Sequence, residues 1–373
     1  MDVQKDQFFK KSISLGYDYI FFPDKKVIIL QNIGKNLLTY TPYMNFSMDA
    51  FQNEDLIIQS IYKKKLDIGI ISSSTLNNYY YNRDYIFKNL QMLCTIFYSH
   101  FYLLSYKKSK IQTFDDLYLK PTNIGIVHSD IRSIQDFNNL WNAGIIQNEL
   151  YNGKLRFKPN IIFINKFNDV ETYFKNKWID AFFYVDVFPN IFLIKFMSLW
   201  KYFKPNLVPI EFKNESLFLK QIGYLNKSEL NIYQILNKNI RNNYNKKENV
   251  SQSIYTTYKY YNYLICNKSL PNEIGYWFVK TIDECLISLQ KKDISKEKNK
   301  KLDFQYLLPF FEDFNRNELF NTSIIPIPMN HGAEKYAIEK GFITYNPSKS
   351  CQILAGVKEC SKENIQPIEE TSM

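Results

Sequence analysis

One structural phrase is written twice along this chain, and that duplication limits the folds open to it. In the first copy Asn53 can cap a helix whose inward face is Leu56, Ile57, Ser60 and Ile61. Lys63, Lys64 and Lys65 close its last turn, where cations suit the helix dipole, and Leu66-Asp67-Ile68-Gly69-Ile70-Ile71 returns to the core as a strand. In the second copy Asn168 or Asp169 opens a helix with Val170, Tyr173 and Phe174 inward. Lys175 and Lys177 lie near its end, and Trp178-Ile179-Asp180-Ala181-Phe182-Phe183-Tyr184-Val185 is the next strand. Two copies of helix, basic turn and acid-led strand imply two similarly built lobes, with independent reuse of a common βαβ grammar as the alternative.

The rest of the chain reads in the same α/β idiom, short apolar runs alternating with helical ones over a largely parallel sheet. Ser12–Gly16 is a strand, Val27–Leu38 a helix and Tyr43–Phe51 a strand. His100–Tyr106 is a strand placed to cross between lobes. Thr113-Phe114-Asp115-Asp116 has the form of a capping box, Pro121 ends the short helix behind it, and Thr122–Val127 is buried. After that strand, His128-Ser129-Asp130 turns into a helix carrying Ile131, Ile134, Phe137, Leu140 and Trp141 on one face, with Gly144 expected just past its end.

Length and charge narrow the function classes. A chain of 373 residues with 45% hydrophobic side chains buries a sizeable core, in two domains or one large one. Asn, Lys, Ile, Tyr and Phe dominate together, so a single Asn or Lys carries little weight alone. The net charge of +10 admits nucleic acid or an anionic ligand. The clearest basic run, 291–301, interleaves acids with its lysines and reads as a solvated loop, and no nucleic-acid-binding signature accompanies it. Nucleic acid is therefore not an expected partner. The five cysteines, Cys94, Cys266, Cys285, Cys351 and Cys360, are irregularly spaced and form no zinc set, so reduced thiols and no metal or other cofactor are expected. The N-terminus lacks the apolar core of a signal peptide, which places the chain inside the cell as written, and the apolar stretch 179–203 is broken by Asp186, Pro189, Asn190 and Lys195.

Several motifs in this order resemble the TAXI solute receptors of TRAP transporters. Asp67–Ser74 followed by Tyr79-Tyr80-Tyr81, then NLQMLCTIFYSHFYLLS, IQTFDDL and TNIGIVHSDIRS, is similar to the central part of that family. Asp180–Val185 with Phe188-Pro189-Asn190 resembles its DAFFYV…HPN element, and Ile327–Gly341 its closing IPLHPGAERYY…E.G element. The resemblance implies a two-lobed, type II periplasmic-binding-protein-like α/β fold, each lobe a mostly parallel sheet flanked by helices, with hinge strands between. It spans about Ser12–Phe342 and is patchy between Leu193 and Ser251. Two family glycine turns are altered: GTGG…YYP stands here as Gly16-Tyr17-Asp18-Tyr19-Ile20-Phe21-Phe22-Pro23, and GSGT(R) as His128-Ser129-Asp130-Ile131-Arg132.

The candidate binding residues follow from chemistry as well as resemblance. The turn at His128–Arg132 opens a helix after a buried strand, so unpaired N–H groups gather there; Ser129 offers a hydroxyl and Arg132 a two-pronged grip on a carboxylate. Ser129 or Asp130 capping the helix, with Arg132 solvated, is the competing reading. Ser72, Ser73 and Ser74 end a strand of the other lobe, where hydroxyls suit ligand binding or simple turn chemistry. Tyr17 and Asp18 follow the first strand, and would line the cleft if the resemblance holds. Tyr184 can stack on a ligand or pack in the core. His100 and His331 read as structural, and Asp67 and Asp180 as acceptors for nearby backbone. No catalytic set is present.

These readings converge on a non-enzymatic, monomeric binder that closes two lobes on a small anionic solute, a carboxylate or amino acid. TRAP-type membrane subunits are the further partner the resemblance implies, and the family works outside the inner membrane. The expected division is residues 1–105 with 212–345 for one lobe and 106–211 for the other, followed by a disordered tail over 346–373. The alternatives are a structural or protein-interaction module with an empty cleft, and an enzyme similar to the thiamine-pyrimidine synthases.

Overall fold

The computed structural model describes residues 12–19, 24–42, 44–106, 109–128, 130–150, 157–187, 191–198, 205–212, 215–231, 254–291, 316–321 and 325–343. The expected tail, the basic run beyond Lys291, Phe188-Pro189-Asn190 and Ser129 lie outside them.

The chain builds the same sequence of elements twice. The first is β1 (Ser12–Asp18), α1 (Asp24–Tyr40), β2 (Asn45–Phe51), α2 (Glu54–Tyr62), β3 (Ile68–Ser72) and α3 (Ser73–Asn82). After the short α4 (Asp84–Phe87), the long β4 (Leu90–Tyr106) and the short α5 (Asp116–Leu119), the second runs β5 (Asn123–Val127), α6 (Ile131–Leu150), β6 (Asn160–Ile164), α7 (Val170–Lys175), β7 (Ala181–Asp186) and α8 (Ile191–Ser198). There follow β8 (Pro205–Leu207), α9 (Glu215–Ile222), β9 (Asn226–Asn231), β10 (Ile254–Asn267), α10 (Asn272–Lys291) and α11 (His331–Glu339).

Sheet order makes two lobes of these repeats. One half reads β2-β1-β3-β10-β4 and the other β6-β5-β7-β4-β10, so β4 and β10 belong to both. In each half the three strands of the repeat are parallel, second–first–third, and the crossing strand beside the third runs against them. This is the two-lobed type II arrangement expected from the sequence. The crossing strands pair from Leu90–Asn267 up to His100–Lys259. Beyond that point they part: the Tyr255 hydroxyl donates to the Phe101 carbonyl at 3.1 Å and accepts from the Leu103 N–H at 3.3 Å, Thr257 donates to the Phe101 carbonyl at 2.7 Å, and the backbone N–H groups of Val208 and Ile210 donate to the Leu103 and Thr256 carbonyls at 2.8 and 3.0 Å. Buried His100 sits at this parting.

Local detail confirms that the repeat is structural. Among the described residues the non-glycine positive-φ positions are Lys64 (φ 57) and Lys177 (φ 58), each three residues ahead of the acid that leads the next strand. Each acid performs the same task. Asp67 Oδ2 accepts from the backbone N–H of Ser14 in β1 at 2.9 Å, and Asp180 Oδ2 from that of Asn123 in β5 at 2.8 Å. A carboxylate at the strand entrance thus pins the neighbouring parallel strand in register.

Three apolar cores follow from this layout. The largest packs α1, α2, α10 and α11 on the β1–β3 half. A second lies between α6 and α9 over Phe101, Phe183 and Tyr258, and a third under α7 and α8 around Tyr102 and Tyr184. Asn53 caps α2 through the Leu56 N–H at 3.0 Å as expected, but Leu56 points to solvent and Ile58 takes its place inside. Gly144 lies within α6 rather than past its end. A Cβ there would come 1.7 Å from the Tyr118 hydroxyl, so close packing of Tyr118 against the helix, not a cap, requires the glycine. His331 begins α11, with Asn330 as its cap.

The paired acids give a direct test. Truncating either leaves a strand N–H without its acceptor, so Asp67→Ala and Asp180→Ala should each lower the unfolding free energy by about 1–3 kcal/mol in chemical denaturation. Asp→Asn at either site, which still accepts, should cost less.

Candidate functional site

The two repeats meet at the C-terminal ends of β1 and β3 and the starts of α2 and α6, and what they bring together there is charge. Glu54, in the first turn of α2, reaches two neighbours at once. Its Oε2 accepts from the Ser72 N–H at 3.1 Å and the Ser72 hydroxyl at 2.6 Å, and its Oε1 makes a short ion pair with Arg132 of α6. Asp18 Oδ2, at the end of β1, lies 3.9 Å from the same guanidinium. The side chains are 5% (Glu54), 11% (Arg132) and 12% (Asp18) exposed, so the pair is desolvated and bridges the lobes.

A second bridge runs beside it. The Ser74 hydroxyl, in the first turn of α3, donates to Asp136 Oδ1 of α6 at 3.1 Å. Tyr224 donates to the same oxygen at 3.4 Å and accepts from Asn139 at 2.9 Å, while Ser73 donates to the Tyr224 carbonyl at 3.2 Å. Asp130 caps α6 by accepting from the Ser133 N–H at 3.0 Å, and Ser133 in turn accepts from the Val185 N–H at 2.9 Å, tying the helix start to β7.

Electrostatics here are set by burial. Burial alone would disfavour the Arg132 charge, but Glu54, Tyr260, Asp18 and Asp130 outweigh it and hold the guanidinium protonated. Burial pushes the Asp130 carboxyl up, against its two Ser133 bonds and Arg132. Burial likewise pushes Asp136 from 3.8 up to about 7, although Arg132 and the bond from Ser74 pull the other way. Four carboxylates, Asp18, Glu54, Asp130 and Asp136, thus face one guanidinium.

The residues singled out in the sequence divide unevenly. Arg132, Asp18 and Ser72–Ser74 gather at this junction. Arg132 is largely buried, and Glu54 and Asp18 already face it. Ser72 caps α3 through the Thr75 N–H at 3.2 Å. Tyr17 is half-buried against the largest core. Tyr184 is fully buried in the third core, stacked on Tyr102 at 4.8 Å between ring centres. Glu54, Asp136, Tyr224 and Tyr260 were not legible as site residues, although Asp136, one turn after Arg132 and next to inward-facing Phe137, was a readable anomaly.

Outside the sealed junction a groove of about 490 Å³ opens between α3 and α6, with Ser74 and Tyr224 in its wall. Among the described residues no group of three or more His, Cys, Asp or Glu side chains is placed to hold a metal ion. No described helix is long and apolar enough to cross a membrane.

No protein-family model and no curated protein matches the sequence. Solved structures do resemble the fold. The arginine-, lysine-, histidine-binding protein ArtJ of Geobacillus stearothermophilus is similar at a TM-score of 0.38 and 13% identity, over 82% of this chain and 97% of that one. The second substrate-binding domain of GlnP from Lactococcus lactis, in open conformation, has a TM-score of 0.40 and 11% identity over 82% and 97%. A ligand-binding component of an ABC-type import system from Staphylococcus aureus, with zinc bound, has a TM-score of 0.42 and 9% identity over 89% and 92%.

The raised Asp136 carboxyl makes stability depend on pH. The folded state keeps this proton up to about pH 7, while the unfolded chain releases it near 3.8, so the contribution favours folding in acid and is lost as pH rises through that window. Asp136→Asn keeps the size and removes the titration. Its Tm relative to wild type should therefore rise between about pH 4 and pH 7 and level off above that. A Tm difference that does not change with pH would mean the carboxyl is not held neutral.

Proposed function

We propose that this chain is a non-catalytic, two-lobed solute-binding protein whose lobes close on a small molecule at the seam between α3 and α6. The observation that carries the reading is the pair of bridges across that seam, Arg132 to Glu54 and Ser74 to Asp136. They join the lobes at the ends of parallel strands and the starts of helices, where an open α/β sheet receives ligands. The two crossing strands supply a hinge. In this reading the lobes are residues 1–105 with 212–345 and residues 106–211, except that Phe218, Ile222, Tyr224 and Tyr258 pack beside Phe101 and Phe183, which supports moving 212–231 and the start of β10 into the second lobe. The motif resemblance to TAXI receptors would make a TRAP-type membrane subunit the recipient of the solute.

The anionic solute expected from Arg132 is less well supported than an uncharged or amine-bearing one. A carboxylate entering beside Arg132 would have to displace Glu54 and face Asp18, Asp130 and Asp136. The rival reading, a module that needs no ligand, is favoured by one fact: the protein's own carboxylate already completes the bridge.

The two readings separate in solution. Under the binding proposal, some solute in a screen of neutral, zwitterionic and charged compounds stabilises the protein saturably, by about 2.7 kcal/mol at a hundredfold excess over Kd. The double variant Glu54→Gln, Arg132→Met should widen the radius of gyration in X-ray scattering, and the same solute should narrow it again. Silence across the screen, with scattering unmoved by the double variant, would leave only the module.

A further inference from the structure

The groove beside the bridges has a chemistry of its own. Six side-chain amides line it, three from each lobe: Asn77, Asn78 and Asn82 on α3, and Gln135, Asn139 and Asn142 on α6. On α6 the spacing of Gln135, Asn139 and Asn142 puts all three on one face, and on α3 Asn78 and Asn82 lie one turn apart with Asn77 beside them, so amides from both helices border the same groove. Asparagine is common in this sequence, but common residues scatter; these face one another over a shared space. Asn82 donates to Asn78 at 2.5 Å, and Asn139 to the Tyr224 hydroxyl at 2.9 Å, which orders one amide pair and fixes one amide against the groove wall. In a chain of net charge +10, no lysine, arginine or histidine lines this groove among the described residues, and Asp55 is the one acidic residue among them in the lining. The ring of Tyr81, 72% exposed and set edge-on against Tyr80 at 5.0 Å between ring centres, stands in the lining.

On this geometry we propose that the groove between α3 and α6 binds a neutral, polyhydroxylated solute of one or two sugar rings. Each amide sets a donor and an acceptor side by side, matching hydroxyl groups that must both give and receive hydrogen bonds. An exposed tyrosine face offers an apolar platform for the C–H side of a pyranose while its hydroxyl stays wet. With no cation in the wall, a phosphate or carboxylate would find no partner for its charge. The volume of about 490 Å³ lies in the range of small-ligand pockets. Because the amides come from both lobes, the sugar would be held only while the lobes are together, and this inference rests on the two-lobed binding proposal.

The test is calorimetric titration of the full chain with maltose, cellobiose and N,N′-diacetylchitobiose, against succinate, L-glutamate, L-arginine and the dipeptide Ala-Ala. A saturable heat with at least one saccharide is expected, with a Kd that changes less than about twofold between low and high salt because the ligand carries no charge. Asn78→Ala and Asn139→Ala, exposed positions on opposite lobes, should each weaken it about fivefold, and Tyr81→Ala by a similar factor, with unchanged Tm. Saccharide binding unmoved by any of the three would put the site elsewhere and overturn the inference. Binding of a charged compound or the dipeptide without any saccharide would overturn the solute class and leave the two-lobed binder standing. No heat from any compound, with scattering unmoved by the bridge-deleting double variant, would overturn both.

Discussion

One buried guanidinium, that of Arg132, pairs with acids across the seam between the two repeats, and its cost explains much of what surrounds it. Removing Arg132 and Glu54 from water costs several kcal/mol per ion, and their attraction offsets this only if the remaining polar valences are also met. Glu54 meets them through both groups of Ser72, on its own side of the seam. Arg132 faces Asp18 as well as Glu54, from across the seam. The pair is therefore less a source of stability than a specification: only one mutual placement of the lobes satisfies it. The surplus acid follows from the same economy of space, since burial raises Asp136 and Asp130 and so limits the uncompensated charge.

That specification acts through a connection able to obey it. Had β4 and β10 stayed paired along their full lengths, the lobes would share a stiff ribbon. Instead the ladder ends at His100–Lys259, and beyond it the side chains of Tyr255 and Thr257 and the backbone of Val208 and Ile210 join the two strands. Side-chain bonds tolerate rotation better than a ladder whose register is locked. In the proposed binding reading the hinge and the bridge would be complementary: one permits relative motion, and the other sets its end point.

The repeat was readable because its parts are local. A basic turn with one left-handed lysine, an acid three residues later and an apolar strand all lie within a dozen residues, and Asp67 and Asp180 do what their position suggests. Much of the site was not readable because it is made of distant pairings: Glu54 lies 78 residues from Arg132, and Ser74 lies 62 from Asp136. An acid in a helix's first turn normally serves the dipole, so Glu54 gave no hint that it faces another lobe. Tyr184 was ambiguous for a different reason, since an aromatic ring at a strand end packs or binds with the same composition, and only the stack on Tyr102 decides between them. Gly144 misled because a glycine after an apolar stripe signals a helix end, whereas here the helix runs on and the glycine admits Tyr118.

The altered glycine turns and the sealed junction are two views of one change. A glycine-rich turn brings backbone close to whatever lies between the lobes and leaves volume for it. Here Asp18 and Asp130 stand in those turns, and with Glu54 and Arg132 their side chains fill the space that such backbone would leave open. A protein that fills its own inner cleft must recognise a solute further out or not at all. The groove along α3 and α6, lined by both repeats, carries six side-chain amides beside the carboxyl of Asp55. On the proposed reading, charge inside fixes how the lobes meet, and hydrogen bonding in the groove would select among uncharged molecules by the number and placement of donors and acceptors.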